Sequence, residues 1–305
     1  MVNMNGVDSF YKEEVLDRFG RASYNWEQQL IQLTCGVADI DLKTSKKALT
    51  PTGLENASVL VHEYIHFLQN FATNWGAPIF TDLAIAYLKI GSSAALSAET
   101  YNLPLNVGSV TNLTLIDGLK LRQQVISRLG KSDSIVNFIT GNQTAFNFSL
   151  DKEIVKLSNG MVEVQIGMKV IRENMAHIGT HLYLGKSDEE FHRYNEQISK
   201  NIFGTSVFIS KAEYWVLFEY FYQLGCYSNV AQGVFTLMQY SLTTLNPDKF
   251  IYRFFTYLNQ NTSSGDLLQV VNRFYNTPAE KDIFSNDTRK VNSHCSQMLT
   301  LCTKN

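Results

Sequence analysis

The residues from about Leu54 to Thr73 are mostly apolar, and their few polar positions recur at the spacing of an α-helix. Residues three and four apart share a helix face, so the pattern predicts a helix that is buried on most sides and carries one polar stripe. Trp75-Gly76-Ala77-Pro78 predicts a break, and a second helix is expected at about 80–98. The polar stripe of the first helix comprises His62, Glu63, His66, Gln69 and Asn70.

Two further segments near the chain's start and middle have recognisable patterns. Residues 8–20 indicate a short amphipathic helix, and residues 28–42 have a strand-like apolar middle. Residues 144–166 alternate between apolar and polar positions on both sides of Ser158-Asn159-Gly160. An Asn-Gly pair between two alternating runs predicts a β-hairpin with a tight turn.

From Gly167 onward, apolar residues recur mainly at helical spacing. The expected helices lie near 167–184, 187–202, 210–225, 228–244, 247–259 and 264–275. Residues 280–305 are weakly patterned, which favours a loose end. The fold class predicted from these elements is mainly α with a small β-sheet, an α+β arrangement.

The composition excludes some classes of function. The net charge of −2 does not fit the basic surface of a nucleic-acid-binding protein, so we expect no nucleic-acid partner. The chain has no apolar run of about 18 residues, so we expect no membrane span. The first residues lack a basic start followed by an apolar stretch, and the four cysteines are scattered. Both observations favour a cytoplasmic protein with reduced thiols.

The segment His62-Glu63-Tyr64-Ile65-His66 carries the strongest chemical signal. Because its two histidines are one helical turn apart, both can bind one zinc ion at the usual Zn–N distance of about 2.0–2.1 Å. Glu63 follows His62 by one residue, so its side chain leaves the helix in another direction and cannot easily join the same ligand set. It can instead reach a water bound to the metal. Zinc lowers the pKa of that water towards about 7, and a carboxylate can then take its proton. The alternative is a pair of histidines that are only hydrogen-bonded in the core, which the apolar flanks disfavour.

This segment resembles the active-site helix of the zincin metallopeptidases, whose defining motif is His-Glu-x-x-His. The resemblance covers about 20 residues around the motif. The metzincin branch has a glycine and a third histidine soon after the motif, whereas here Phe67-Leu68-Gln69-Asn70-Phe71-Ala72 follows. The chain is therefore more similar to the gluzincin branch. The resemblance implies Zn²⁺ as the cofactor, His62 and His66 as ligands and Glu63 as the catalytic residue.

A catalytic zinc usually has three protein ligands, so another segment must supply the third. Within residues 167–181, Glu173, His177 and His181 are four apart and share one helix face. The resemblance to gluzincins implies that Glu173 is the third ligand and that His177 orients a histidine. Glu173 lies 107 residues after His66, farther than in the best-known gluzincins, which an inserted subdomain at about 100–165 would explain.

Other assignments of the third ligand stay open. His177 is one alternative, which would give a three-histidine site. Glu213 and Glu219 are two more, although their strongly aromatic segment favours a core helix. Zincins also need a hydrogen-bond donor for the oxyanion of the tetrahedral intermediate. The sequence does not choose among the candidate tyrosines, which are Tyr214, Tyr220, Tyr222, Tyr227 and Tyr240.

The resemblance and the patterns together predict an organisation and a function. Residues 1–100 form an N-terminal zincin-like part, 101–166 an inserted segment with the β-hairpin, and 167–305 a helical part that supplies the third ligand. The expected function is a zinc-dependent peptidase acting on a protein or peptide substrate. Two alternatives stay open, a zinc-dependent hydrolase of a non-peptide amide or ester and a non-catalytic zincin-fold binding protein. Because a cytoplasmic peptidase must avoid general proteolysis, we also expect a narrow substrate range, a regulatory protein partner or a closed cleft.

Overall fold

The computed structural model describes residues 22–25, 30–33, 51–99, 116–125, 127, 136–138, 145–160, 162–202, 209–261 and 264–303. The helices are α1 (Pro51–Phe71), α2 (Gly76–Glu99), α3 (Met168–Leu184), α4 (Asp188–Ile202), α5 (Val216–Gln223), α6 (Val230–Leu242), α7 (Pro247–Gln260), α8 (Leu267–Tyr275) and α9 (Pro278–Thr303). A 3-10 helix occupies Ile209–Tyr214, and residues 116–125 are also helical. The strands are β1 (Ala22–Asn25), β2 (Leu30–Leu33), β3 (Val136–Phe138), β4 (Asn147–Asp151), β5 (Ile154–Ser158), β6 (Val162–Gln165), β7 (Tyr227–Ser228) and β8 (Gly265–Asp266). The predicted fold class, mainly α with a small β-sheet, is confirmed.

A tight connection joins α1 to α2. The Thr73 hydroxyl donates a hydrogen bond to the carbonyl of Gln69 at 2.6 Å and accepts one from the N–H of Gly76 at 2.9 Å. A Cβ at position 76 would collide with the carbonyl oxygens of Gln69 and Asn70, so the turn requires glycine. The predicted break at 75–78 is displaced, because α2 already begins at Gly76. Pro78 fits its first turn, where an N–H has no partner within the helix.

α3 is the central helix of the part that bears the site. It packs along α1 and also contacts α6, α5 and the 3-10 helix. Most of its residues from Met168 to His181 are buried. Gly179 lets α1 and α6 come close, because a Cβ there would lie 2.5 Å from Cδ1 of Ile65 and 2.9 Å from Cε2 of Phe235. The two helices that carry the predicted metal ligands are therefore direct neighbours.

The main sheet is antiparallel, with the strand order β3-β6-β5-β4. The predicted Asn-Gly turn joins β5 to β6, and the Asn159 side chain accepts a hydrogen bond from the N–H of Val162 at 3.0 Å. A second turn joins β4 to β5 through Lys152 and Glu153, whose φ angles are 48° and 66°. The single predicted hairpin is thus two hairpins. The second turn has no recognisable residue pattern, because positive φ angles usually require Gly, Asn or Asp and this turn has Lys and Glu.

Residues 278–303 form the long helix α9, so the expectation of a loose end at 280–305 is wrong as far as Thr303, and the last two residues lie outside the described part of the chain. Polar contacts hold this helix where its apolar pattern is weak. Arg253 binds both carboxylate oxygens of Glu280, at 2.6 and 2.9 Å. Asp287 accepts a hydrogen bond from the N–H of Leu245 at 2.9 Å, and His294 pairs with buried Asp82 on α2 at 2.7 Å.

An aromatic core fills the space between the sheet and the C-terminal helices. Its largest fully buried rings are Phe191, Phe218, Phe221, Phe250, Phe254 and Phe255. No helix within the described ranges is both long and apolar enough to cross a membrane. Of the sequence predictions, the helix at 8–20 lies outside the described residues, as does the strand-like stretch beyond Leu33.

Candidate metal centre

α1 presents its two predicted ligands on one face. The rings of His62 and His66 lie 4.9 Å apart between centroids and are nearly perpendicular, with an interplanar angle of 83°. His66 is buried, and the His62 side chain is 16% exposed. A spacing of four residues on a helix produces this arrangement, because it brings both side chains to the same side one turn apart.

Glu173 on α3 meets both histidines. One of its carboxylate oxygens, Oε2, lies 3.2 Å from Nε2 of His66 and 3.6 Å from Nε2 of His62. Tetrahedral ligands at the usual zinc distances of about 2.0–2.1 Å are about 3.3–3.4 Å apart, so the two separations fit one shared ion. The candidate ligand atoms of all three residues lie within 4.8 Å of one another.

The charge state of Glu173 suits a ligand. Burial acts to raise its pKa, but the attraction of His66 and the polar contacts with both histidines outweigh burial. The pKa of Glu173 therefore lies well below its usual range, which leaves a carboxylate at neutral pH. Metals bind the deprotonated form. Its side chain remains 20% exposed, so solvent can reach it.

Glu63 is almost fully buried beside the ligands, with an exposure of 9%. It follows His62 directly, so its side chain leaves α1 about 100° around the helix from that ligand. Burial is the main cause that raises the pKa of Tyr214, and the negative charge of Glu63 acts in the same direction after those of Glu173 and Glu213. This position suits a base that takes a proton from water beside the ligands.

Tyr214 at the end of the 3-10 helix also belongs to the site. Its ring stacks on that of His62 with centroids 6.0 Å apart, and its hydroxyl hydrogen-bonds to Glu173. Burial raises the pKa of Tyr214 well above its ordinary value, and the charges of nearby carboxylates act in the same direction. The phenol therefore keeps its proton and remains a hydrogen-bond donor at neutral pH.

Asn174 fixes Tyr214 beside Glu173. The Asn174 side chain is fully buried and donates a hydrogen bond to the carbonyl of Glu213, the residue before Tyr214. Its oxygen accepts from the N–H of Leu217 at 3.2 Å. Lys169, one turn earlier on α3, pairs with the Glu213 carboxylate at 2.9 Å. The helix that carries Glu173 thus also holds the segment that carries Tyr214.

The remaining candidates from the sequence have other surroundings. The ring of His177 lies 5.0 Å from that of His181 and 6.0 Å from that of Tyr214, and among the described residues His177 is not part of the three-residue group. Glu213 pairs with Lys169, and Glu219 binds His192 and Asn195, each at 2.8 Å. The other candidate tyrosines contact residues elsewhere in the fold. Tyr220 contacts Phe255, Tyr222 contacts His192, Tyr227 contacts Phe221, and Tyr240 contacts Asn272.

Two residues of the site were not singled out from the sequence. Tyr214 had four rivals, and only the packing of the 3-10 helix on α3 distinguishes it. Gln69 was recognised as part of the polar stripe of α1 but had no assigned role. Its Oε1 lies 2.9 Å from Nδ1 of His66. Its spacing of about one helical turn after that histidine is the sequence feature that could have indicated this contact.

Comparisons with known proteins assign this chain to no family. No protein-family model matches the chain, and searches of curated proteins and of solved structures find no similar protein.

Proposed function

We propose that this protein is a zinc-dependent peptidase. The observation that carries the proposal is the convergence of His62, His66 and Glu173 from two packed helices, one of which carries Glu63 directly after His62 in the chain. Two imidazoles and one carboxylate form a common donor set of catalytic zinc sites, which leave one position open. Zinc, when bound, supplies a water of lowered pKa and polarises the substrate carbonyl.

The chain's own residues account for the remaining steps. Glu63 takes a proton from the attacking water and passes it to the leaving amine as the peptide bond breaks. Tyr214 donates a hydrogen bond to the oxygen that becomes negatively charged in the tetrahedral intermediate. Its raised pKa supports this role, because a donor must keep its proton at the pH of the reaction.

The substrate class is part of the proposal and rests on the resemblance to zincin peptidases. The same residues could hydrolyse a non-peptide amide or ester, because the tetrahedral intermediate is the same in each case. A protein or peptide substrate is favoured, and a regulatory protein partner would limit unwanted cleavage.

The test compares His62→Ala with Glu63→Gln, using Glu189→Gln as a control at a side chain that is 70% exposed. Metal content is measured by elemental analysis, and cleavage is measured on a peptide library by mass spectrometry. We expect Glu63→Gln to keep zinc and lose at least about 100-fold in kcat, because a general base contributes about 10²–10⁴-fold. His62→Ala should lose both zinc and activity, and Glu189→Gln should behave as the wild type.

The other outcomes distinguish the alternatives. Hydrolysis of small amides or esters with an untouched peptide library would favour the non-peptide hydrolase. Zinc binding without turnover of any substrate would favour a binding protein. A wild-type protein that binds no zinc would overturn the proposal.

A further inference from the structure

Gln69 joins the two helices that carry the candidate ligands. Its side chain is 1% exposed and lies between His66 on α1 and Arg172 on α3. Its oxygen, Oε1, lies 2.9 Å from Nδ1 of His66 and accepts a hydrogen bond from Nε of Arg172 at 3.3 Å. Its nitrogen, Nε2, donates to the backbone carbonyl of Arg172 at 3.0 Å. Arg172 is the residue directly before Glu173.

The contacts with Arg172 fix which way the Gln69 amide points. A backbone carbonyl can only accept a hydrogen bond, so it must face the amide NH₂ group. The guanidinium Nε can only donate, so it must face the amide oxygen. A reversed amide would lose both contacts. The atom facing Nδ1 of His66 is therefore an acceptor, and Nδ1 must carry a proton to bind it.

We infer that Gln69 is a positioning residue that sets the tautomer of His66. With the proton held on Nδ1, Nε2 is the nitrogen that exchanges its contact with Glu173, at 3.2 Å, for the ion. Only a nitrogen with a free lone pair can bind a metal. The inference rests on the proposed metal site. It gives Gln69, which is not a ligand, the role of preparing His66 to bind the ion.

The same side chain also fixes the distance between ligands. Through Gln69, the ring of His66 is connected to the backbone beside Glu173 by two consecutive hydrogen bonds, of 2.9 and 3.0 Å. A metal site gains affinity when its ligands are held in place before the ion arrives, and loss of such an outer partner typically costs about 10–100-fold in metal affinity. We therefore expect Gln69 to act on metal binding before any chemistry takes place.

The test uses Gln69→Met, which keeps the length of the side chain but removes its amide. We expect its zinc affinity, measured by competition with a chelating dye, to fall about 10–100-fold. The visible spectrum of the Co²⁺-loaded protein should change, because the coordination geometry is less fixed. Gln69→Glu keeps an acceptor facing Nδ1 of His66 but loses the donor to the carbonyl of Arg172, so its zinc affinity should lie between those of Gln69→Met and the wild type. Thr180→Val, which removes a buried hydroxyl bonded to Ala176 at 2.9 Å, serves as the control and should leave zinc affinity unchanged.

A direct measurement does not depend on any variant folding. In wild-type protein loaded with zinc, ¹⁵N NMR of the His66 ring should show a proton on Nδ1 and metal on Nε2. Zinc on Nδ1 would overturn the inference, and so would unchanged zinc affinity and Co²⁺ spectrum in Gln69→Met. Failure of the wild type to bind zinc at all is a different result, since it overturns the proposed function itself.

Discussion

Tyr214 contacts the site in two ways, because its ring stacks on His62 and its hydroxyl binds Glu173. Tyr214→Phe removes only the hydroxyl. We expect kcat to fall about 10²–10³-fold, the usual cost of losing one donor to an oxyanion. Steady-state kinetics on a cleaved peptide, together with zinc analysis, measures the effect, and the zinc content should stay at the wild-type level.

A different result for Tyr214→Phe would assign the residue another role. If zinc affinity falls in parallel with activity, the hydroxyl acts by holding Glu173 and not by binding the substrate oxyanion. Tyr222→Phe is the matched control, because that ring stacks on His192 and belongs to no part of the site. It should leave kcat and zinc content unchanged.

Single residues differ in how far the sequence could predict them. His62, Glu63 and His66 were predictable because they lie within one helix, whose period fixes their relative directions. Glu173 was proposed from the resemblance, because no local rule connects positions separated by 107 residues. Tyr214 could not be chosen from the sequence, since its position depends on a hydrogen bond between Asn174 and the backbone of Glu213.

Among the elements, α3 has two tasks in this fold. It carries Glu173 to the histidines of α1, and through Asn174 and Lys169 it holds the 3-10 helix that ends at Tyr214. A change that loosens the 3-10 helix from α3 should therefore affect both stability and the site, although it touches no candidate ligand.

Asn174→Leu tests this role of α3. The substitution leaves the buried carbonyl of Glu213 and the N–H of Leu217 without their partner, and each unsatisfied group costs about 1–3 kcal/mol. We expect the free energy of unfolding in urea to fall by about 2–5 kcal/mol. Cleavage activity of the remaining folded protein should also fall, because Tyr214 loses its fixed position.

Thr180→Val is the control for this prediction as well. It removes one hydrogen bond within α3, from the threonine hydroxyl to Ala176, and should cost about 1 kcal/mol without loss of activity. Equal losses of stability in the two variants would contradict the role of Asn174 as a link between elements.

Helices and strands were predicted well where apolar residues recur every 3.6 or every 2 positions and so form one buried face. Helices α3, α4, α6, α7 and α8 lie close to the predicted ranges, because apolar residues of each are buried in the aromatic core. The range predicted as one helix at 210–225 divides into the 3-10 helix and α5. α9 was missed because its anchors are polar, such as the pair of Arg253 with Glu280. The turn at Lys152 and Glu153 was missed because its residues rarely adopt positive φ.

At the scale of the whole molecule, the candidate site joins distant parts of the chain. Two ligands come from α1 and the third from α3. Because these helices are neighbours only in the folded protein, an ion held by all three residues binds the folded state alone. Binding to the folded state alone stabilises it by an amount that depends on the ratio of free ligand to Kd. Metal removal should therefore be measurable as a loss of stability.

We expect zinc at about 100 times its Kd to raise the free energy of unfolding by about 2.7 kcal/mol over the chelator-treated protein. The thermal midpoint should rise by about 5 °C, as measured by differential scanning fluorimetry. Glu173→Gln should lose most of this zinc-dependent rise. A zinc-dependent rise of the same size in Glu173→Gln would show that the third ligand is another residue.

The order of the ligands along the chain also has a consequence in time. Ribosomes add about 5–20 residues per second, so the 107 residues from His66 to Glu173 take about 5 to 20 seconds to synthesise. During that interval the nascent chain carries both histidines and Glu63 but lacks the third ligand of the proposed set. Under the proposed function, a nascent chain that has not yet reached Glu173 therefore cannot hold the complete ligand set.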